Sequence, residues 1–427
     1  MPIVVPSVLE GPSFPAAAWG DAAVIVPWVL YQRFGDAGIL EDQFASMQAW
    51  VDLVAETAGP GRLWDQGFQF GDWLDPIAPP EKPAGGRTNP DVVATAYFAR
   101  SAELLGQAAD ALGRADEATR YLALAAEVRA AFNNEYVTPN GRVISDSTTA
   151  YALLIEFALL PDAAQRRHAG ARLAALVRDS GYRISTGFVG TPLVCDALCS
   201  AGEYDAAFRL LTQRACPSWL YPVTMGGTTI WERWDSMRPD GSVNPGEMTS
   251  FNHYALGAVA DWLHRTVGGL APAAPGYRRI DIRPHPGGGL RHARARHRTP
   301  YGLAECAWRI AAEQIEVEVV VPPNTTARIT LPNNDAVPVE VGSGTYRWSY
   351  PYPETQRERP ASSLDSTLDE LVDDPEAWTS VLQAVPEFAG NMETGVQKRG
   401  SVSLRQAIAF MPNAGALGAA IEVALQR

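Results

Sequence analysis

The sequence has few cysteines and no excess of basic residues, and both shortages exclude classes of protein. Its 427 residues include four cysteines, Cys195, Cys199, Cys216 and Cys306. Cys195 and Cys199 lie four residues apart, but no second close pair accompanies them, so neither a disulfide framework nor a zinc site is predicted. The formal charge of −13 is opposite in sign to that of a nucleic-acid-binding surface. We predict free thiols in a reducing compartment, and hence a cytoplasmic protein that binds no nucleic acid.

Long apolar runs and cofactor motifs are missing too. No segment approaches the roughly 20 apolar residues of a membrane span, and residues 1–6 lack the basic and apolar regions of a signal peptide. The glycines at 85–86 and 287–289 do not stand between a strand and a helix, as a phosphate-binding loop would require. A serine nucleophile elbow and paired metal-binding aspartates are absent. The sequence therefore predicts no membrane span, no metal site and no cofactor, and it leaves open whether a calcium ion accompanies a bound sugar.

Tryptophan, by contrast, is abundant and lies beside carboxylates. There are 12 tryptophans, and four clusters combine an indole with an acidic residue. Those clusters are Trp19-Gly20-Asp21, Trp64-Asp65, Gly71-Asp72-Trp73 and Trp231-Glu232-Arg233-Trp234. An aromatic ring can cover the apolar C–H face of a sugar, while carboxylates accept hydrogen bonds from its hydroxyl groups. The pattern indicates a carbohydrate site.

The first 268 residues have the periodicity of helices. Apolar residues within 121–132 recur at the 3.6-residue helical spacing, and Asn89-Pro90-Asp91 is a typical helix start. We predict helices at 18–34, 36–57, 89–112, 115–136, 146–160, 162–179, 191–201, 204–215 and 248–268. The tryptophan–carboxylate clusters lie in long loops or at helix starts, which predicts an (α/α)₆ toroid of helical hairpins. A closed toroid needs twelve helices and nine are predicted, so we expect an incomplete ring with further sequence upstream.

The pattern changes after residue 268. Residues 270–277 resemble a linker, and strands are predicted at 279–283, 303–308, 314–321 and 327–331, where the third alternates Ile or Val with Glu. Short amphipathic helices are predicted at 364–371 and 403–407. The fold prediction is mainly α, with a toroid domain at 1–268, a small antiparallel β-sandwich at 278–352 and a helical tail at 353–427.

Glu232 is the main catalytic candidate. It follows the glycine-rich segment 225–230 and lies between two indoles, which would raise its pKa, while neighbouring Arg233 would lower it. Opposing influences of this kind tune a glutamate to act as a base near neutral pH. The alternative is a structural Glu–Arg pair under aromatic packing.

Nine further residues are predicted to contact a sugar, each with a structural alternative. His253 could donate to a hydroxyl or position a carboxylate, or it could be a satisfied core histidine. Asp21 could instead cap the first helix, and the 59–87 loop could fold on its own aromatic residues. The predicted substrate-binding residues are Trp19, Asp21, Trp64, Asp72, Trp73, Trp231, Arg233, Trp234 and His253.

These motifs, in this order, resemble those of bacterial α-L-rhamnosidases. The resemblance covers roughly residues 1–350 and rests on the segments 16–23, 70–74, 228–234 and 250–254. It implies an inverting six-hairpin glycosidase that removes terminal non-reducing α-L-rhamnose from rhamnosides, with an all-β domain after the toroid. By this likeness Glu232 matches the general base, and His253, Asp72 and the indoles match positions around the rhamnose.

One departure from the family is serious. The family's general acid lies in an Asp-Glu-Arg-Leu-Gly-Trp-Thr-Gly-Asp type segment, and nothing in this sequence matches it. We therefore expect the chain alone to have little or no activity. Three alternatives stay open: a trehalase-like or glucoamylase-like hydrolase, a non-catalytic rhamnose-binding protein, and a gene whose start lies further upstream. Homo-oligomer formation is also left open.

Overall fold

The computed structural model describes residues 14–334, 337–353, 361–385, 402–409 and 411–426. The N-terminal segment 1–13, in which no signal peptide was predicted, lies outside them. Within 14–268 the chain is helical. Its helices are α1 (Ala22–Phe34), α2 (Gly38–Ala58), α3 (Pro90–Ala111), α4 (Ala115–Tyr136), α5 (Thr148–Glu156), α6 (Ala163–Asp179), α7 (Val194–Ser200), α8 (Tyr204–Thr212), α9 (Leu220–Thr224) and α10 (Val259–Trp262).

The predicted caps explain why several of these helices begin where they do. The Asn89 side chain accepts a hydrogen bond from the Asp91 N–H at the start of α3, and Asp162 accepts from two N–H groups at the start of α6. The last predicted helix was placed too early, at residue 248. The helical segment begins at Ala255 with a 3₁₀ turn and ends in a π turn at Val267, so residues 248–254 are left as a loop.

The helices form two layers of an arc. Consecutive helices pair as the hairpins α1–α2, α3–α4, α5–α6 and α7–α8, while α1, α3, α5, α7 and α10 contact one another in that order. Those five helices form the inner layer, and α2, α4, α6 and α8 lie outside them. This is the arrangement of an α/α toroid. The loops that lead into the inner helices all lie at one end of the arc.

The β part consists of two four-stranded sheets. One has the order β1 (Leu270–Pro272), β2 (Arg279–Ile282), β6 (Thr326–Ile329), β7 (Val339–Val341), and the other has the order β3 (His292–Thr299), β4 (Gly302–Ala311), β5 (Gln314–Val321), β8 (Gly344–Pro351). All pairings are antiparallel except β2 with β6, which is parallel. The first strand forms inside the segment predicted to be a linker.

The β part packs directly against the helices. The Trp308 indole N–H donates to the carbonyl oxygen of Val267 over 2.7 Å, and buried side chains of both parts belong to one continuous core. As predicted, β5 buries alternate residues, with Ile315, Val317 and Val319 on the inner face. The β part therefore holds the end of the helical arc in place.

The C-terminal tail is helical, as predicted. Its helices are α11 (Leu368–Val372), α12 (Pro375–Ala384), α13 (Leu404–Ile408) and α14 (Ala414–Leu425). They surround a separate small core that includes Leu371, Val381 and Ile421. Among the described residues, no helix combines the length and apolar character needed to cross a bilayer.

Candidate functional site

The predicted site residues lie at one end of the helical arc. Trp19 precedes α1, Asp72 lies in the loop before α3, and Glu232 and His253 lie in the long segment that leads to α10. Because the inner helices run side by side, these loops meet although they are far apart in sequence. The fold therefore brings together motifs from three separate segments.

Glu232 is held by a short ladder between two loop segments. Its N–H donates to the carbonyl oxygen of Ser250, and the His253 N–H donates to the carbonyl oxygen of Ile230, both over 2.8 Å. The Glu232 Oε2 atom accepts from the Ser250 N–H at 3.2 Å, and Oε1 lies 4.0 Å from the His253 Nε2 atom. The Glu232 side chain is 17% exposed. This carboxylate is fixed by backbone contacts and still reachable by solvent.

The His253 ring is oriented from two sides. Its Nδ1 atom accepts a hydrogen bond from the Ala255 N–H at 3.3 Å, so the neutral ring carries its proton on Nε2, the atom nearest Glu232. The ring stacks on Phe188 at 5.1 Å and on Tyr254 at 5.2 Å. Tyr254 is 88% exposed. The stack aims a proton donor at the space beside the Glu232 carboxylate.

The neighbours of Glu232 in sequence have other partners than predicted. Trp231 is buried and packs edge-on against Tyr221 and Phe251, while buried Trp234 donates its indole N–H to the carbonyl oxygen of Thr186. The Arg233 guanidinium pairs with Asp235 at 2.9 Å. Arg233 therefore does not form the structural ion pair with Glu232 that was the alternative, and Arg233 and the two indoles support the loop.

Asp72 is a buried anchor for the loop that carries Phe188. Its carboxylate accepts from the backbone N–H groups of Gly187, Val189 and Gly190 at 2.8 to 3.0 Å and from the Thr149 hydroxyl. Burial and the nearby charge of Asp75 raise the pKa of Asp72 to about 6, against the opposing effect of these donors. With four donors already bound, Asp72 has no capacity left for a sugar hydroxyl. Its predicted substrate contact becomes an indirect role.

Trp19 and Trp73 keep partly exposed faces and lie together. Both rings contact Phe70, at centroid distances of 4.5 Å and 5.1 Å. The Trp73 carbonyl oxygen accepts from the Phe188 N–H at 2.8 Å, which ties this aromatic cluster to the His253 stack. These two indoles retain the surface that a sugar contact requires.

Asp21 and Trp64 lie in the core instead. Asp21 is fully buried and accepts from the Ala18 N–H, the Trp50 indole and the Ser101 hydroxyl. It occupies the N-cap position of α1 without capping the helix through its side chain. Trp64 is also fully buried and packs edge-on against Trp50. Neither residue presents an accessible face, so their predicted substrate contacts are replaced by packing and hydrogen bonding within the core.

Sequence reasoning missed three residues of this region. Phe188 and Tyr254 both stack on the His253 ring, and the Thr149 hydroxyl donates to Asp72. Phe188 lies in the segment 186–190, between the helices predicted at 162–179 and 191–201, where two glycines flank Phe188 and Val189. Gly187 is required there, because a Cβ atom would lie 2.2 Å from the Trp73 carbonyl oxygen. That close approach was not visible in the sequence.

Family models match most of the chain. The model described as the bacterial alpha-L-rhamnosidase 6 hairpin glycosidase domain matches residues 1–267. The model described as the bacterial alpha-L-rhamnosidase C-terminal domain matches residues 269–345. The two matches meet between the helical part and the first strand, and neither covers the helical tail.

Individual relatives agree with the family models. An alpha-L-rhamnosidase of Streptomyces avermitilis is 42% identical over 330 residues, which are 77% of this chain and 31% of that protein. An alpha-L-rhamnosidase of Formosa agariphila is 37% identical over 348 residues, 81% of this chain and 37% of that protein. The chain thus spans about a third of the length of these curated relatives.

Solved structures share the fold. The native rhamnosidase of Aspergillus terreus superposes with a TM-score of 0.79 at 42% identity, covering 82% of this chain and 41% of that one. The Streptomyces avermitilis enzyme complexed with L-rhamnose gives a TM-score of 0.73 at 39% identity, covering 80% of this chain and 34% of that one. The chain belongs to the bacterial α-L-rhamnosidase family and contains its six-hairpin helical domain, followed by a β-sandwich-like C-terminal domain and a helical tail.

Proposed function

We propose that this chain binds terminal α-L-rhamnose and supplies the water-activating base of an inverting α-L-rhamnosidase. The observation that carries the proposal is the position of the Glu232 carboxylate, which accepts a hydrogen bond from the Ser250 N–H at 3.2 Å and has its other oxygen 4.0 Å from His253 Nε2. Both lie in the span matched by the family's catalytic-domain model. The relative solved with L-rhamnose supports the choice of sugar.

The geometry suits general-base chemistry. The Ser250 N–H holds one Glu232 oxygen, which leaves the other to accept the proton of a water molecule attacking the anomeric carbon. The His253 Nε2–H can donate to a rhamnose hydroxyl or to that second oxygen, and so orients both. Trp19 and Trp73, with their partly exposed rings, would pack on the apolar face of the sugar.

An inverting hydrolase also needs an acid on the opposite side of the bond, with the two carboxyl groups about 6.5–9.5 Å apart. Asp21 and Asp72 do not suit this role, because both are fully buried with their oxygens occupied by donors. Because the sequence also lacks a match to the family's general-acid segment, we expect the 427-residue chain to bind rhamnose and to hydrolyse rhamnosides slowly or not at all. A binding protein without turnover is the second candidate function, and the same observation favours it.

The test combines binding with turnover. L-Rhamnose and L-fucose are titrated calorimetrically into the wild type and Glu232→Gln, and hydrolysis of an aryl α-L-rhamnoside and an aryl glucoside is followed in parallel. We expect both proteins to prefer L-rhamnose, and any rhamnoside hydrolysis by the wild type to fall by at least about 100-fold in Glu232→Gln. Rhamnose selectivity without wild-type turnover would select the binding function.

Two results would refute the proposal. If the wild-type chain does not bind L-rhamnose, it has no rhamnose site. If Glu232→Gln hydrolyses the rhamnoside at the wild-type rate, Glu232 is not the general base. The glutamine amide oxygen can still accept from the Ser250 N–H, so the variant leaves the loop ladder intact.

A cytoplasmic location is part of the proposal, and the four free thiols support it.

A further inference from the structure

A second cavity, separate from Glu232, lies between the helical arc and the C-terminal tail. Its volume is about 510 Å³, within the range of roughly 300–1,000 Å³ found for small-molecule sites. The arc contributes Arg183, Trp234 and the loop before α3, while the tail contributes Val372, Trp378 and Leu382. Glu232 does not line this cavity.

The tail wall is fastened to the arc by charged groups. The Asp373 carboxylate accepts from Arg209 at 2.8 Å, pairs with Arg178 at 3.3 Å and accepts from the Tyr182 hydroxyl. The Arg209 guanidinium also lies over the Tyr182 ring, 4.1 Å from its centroid. Since Asp373 directly follows Val372, these contacts hold the tail where it closes the cavity.

Ion pairs occupy most of the charged groups on the cavity wall. Asp75 pairs with Arg87 at 2.5 Å, and Asp235 pairs with Arg233 at 2.9 Å. Asp146 and Asp179 share Arg172, at 2.7 Å and 3.7 Å. These fixed pairs present donors and acceptors side by side, which suits the neighbouring hydroxyl groups of a sugar.

Arg183 differs from the other arginines of this wall. It forms no ion pair or hydrogen bond through its guanidinium within the described ranges of the chain, although it is partly buried. A guanidinium group with free N–H donors can bind a carboxylate in a bidentate manner, with one hydrogen bond to each oxygen. The cavity therefore offers polar pairs for hydroxyl groups, the rings of Trp234 and Trp378, and one unused cation.

We propose that this cavity is a binding site for a uronic-acid unit of a saccharide, with Arg183 on the carboxylate and Trp378 of the tail as part of the wall. The site is distinct from the proposed rhamnose site and does not depend on it. It also gives the tail a function, because the tail completes the site rather than only packing on the arc.

The test uses sodium D-glucuronate and D-glucose as probes, titrated calorimetrically into the 427-residue protein. We expect glucuronate to bind at least about tenfold more tightly than glucose, since a charge-assisted pair to Arg183 is available only to the acid. Arg183→Gln should remove this preference and leave glucose binding unchanged. Arg238→Gln is the matched control, because Arg238 is an exposed arginine between α9 and α10 that does not line the cavity.

Each remaining outcome decides a part of the proposal. Failure of the wild type to bind glucuronate, equal affinity for both sugars, or an equal loss in Arg238→Gln would overturn it. Trp378 also packs against the cores of the arc and the tail, so Trp378→Ala should weaken the binding of both sugars and lower the unfolding temperature as well. Unaltered sugar binding in this variant would exclude the tail from the site. Glu232→Gln should bind glucuronate normally, so a failed rhamnose titration would refute the proposed function without touching this site.

Discussion

Asp72 is predicted to stabilise the site by anchoring the loop that carries Phe188, and replacing Asp72 with asparagine tests this. Its Oδ1 atom accepts from the Val189 and Gly190 N–H groups, and Oδ2 accepts from the Gly187 N–H and the Thr149 hydroxyl. An amide nitrogen at the Oδ1 position would face two N–H donors. At the Oδ2 position it would face only one, because the Thr149 hydroxyl can turn and accept. The second orientation is therefore favoured.

The structure allows a magnitude to be worked out for Asp72→Asn. One buried N–H, that of Gly187, loses its acceptor at a cost of about 1–3 kcal/mol. The other two backbone bonds lose their charged acceptor, at a cost of roughly 1 kcal/mol each. The substitution also offsets part of this cost, because burial disfavours the charged carboxylate but not a neutral amide. The same burial raises the pKa of Asp72 to about 6. We expect a net loss of about 1–2 kcal/mol in the free energy of unfolding.

Urea denaturation followed by circular dichroism measures that loss, with Asp65→Asn as the control at an exposed aspartate of the same loop. Gly187→Ala should have an effect at least as large, because its new Cβ would lie 2.2 Å from the Trp73 carbonyl oxygen and 2.6 Å from that of Asp72. Both site variants should also weaken L-rhamnose binding through Phe188. If Asp72→Asn unfolds at the same urea concentration as Asp65→Asn, the anchoring role is wrong.

Two further predictions concern groups away from the ligand. Burial and the charge of Asp196 raise the pKa of Glu156 from 4.5 to about 7. The native state therefore binds this proton more tightly than the unfolded state does. The free energy of unfolding should then fall as the pH rises from 4.5 to about 7. Glu156→Gln should reduce that fall by roughly 3 kcal/mol, as measured by urea unfolding from about pH 4 to pH 8. A pH dependence of stability identical to that of the wild type would show that Glu156 is not its cause. Trp64→Phe should lower the free energy of unfolding by only about 1–2 kcal/mol. The smaller ring loses some buried apolar contact, but the indole N–H that it removes has no hydrogen-bond partner among the described residues. It should leave L-rhamnose affinity unaltered, and a loss of affinity would restore the predicted substrate contact.

The helical architecture could be predicted because its determinants are local. The apolar spacing and the caps at Asn89 and Asp162 lie within the helices they start. Strand β3 was missed for the opposite reason. Its sequence is rich in Arg and His and buries only Ala295 and Thr299, so the pairing with β4 defines the strand and the apolar pattern does not.

The site motifs were found from the sequence, but the sequence did not show which residues of each motif face the ligand and which face the core. Asp21 and Trp19 are two residues apart, yet one is buried under Trp50 and Ser101 while the other remains partly exposed. The partners of Asp21 lie 29 and 80 residues away. A carboxylate beside an indole has the same local pattern whether it faces a ligand or the core, and only distant contacts decide between them.

The contacts of the site form a continuous path that explains why buried and exposed residues occur in the same motifs. Asp72 binds the backbone on both sides of Phe188, Phe188 stacks on His253, and the His253 Nε2 atom faces Glu232. A shift of Phe188 would turn the imidazole away from the carboxylate without altering either residue chemically. Substitutions along this path should therefore lower rhamnose affinity and stability together. Glu232→Gln should leave both unchanged and lower only the turnover that the chain has. That contrast separates a residue that positions the site from one that acts on water.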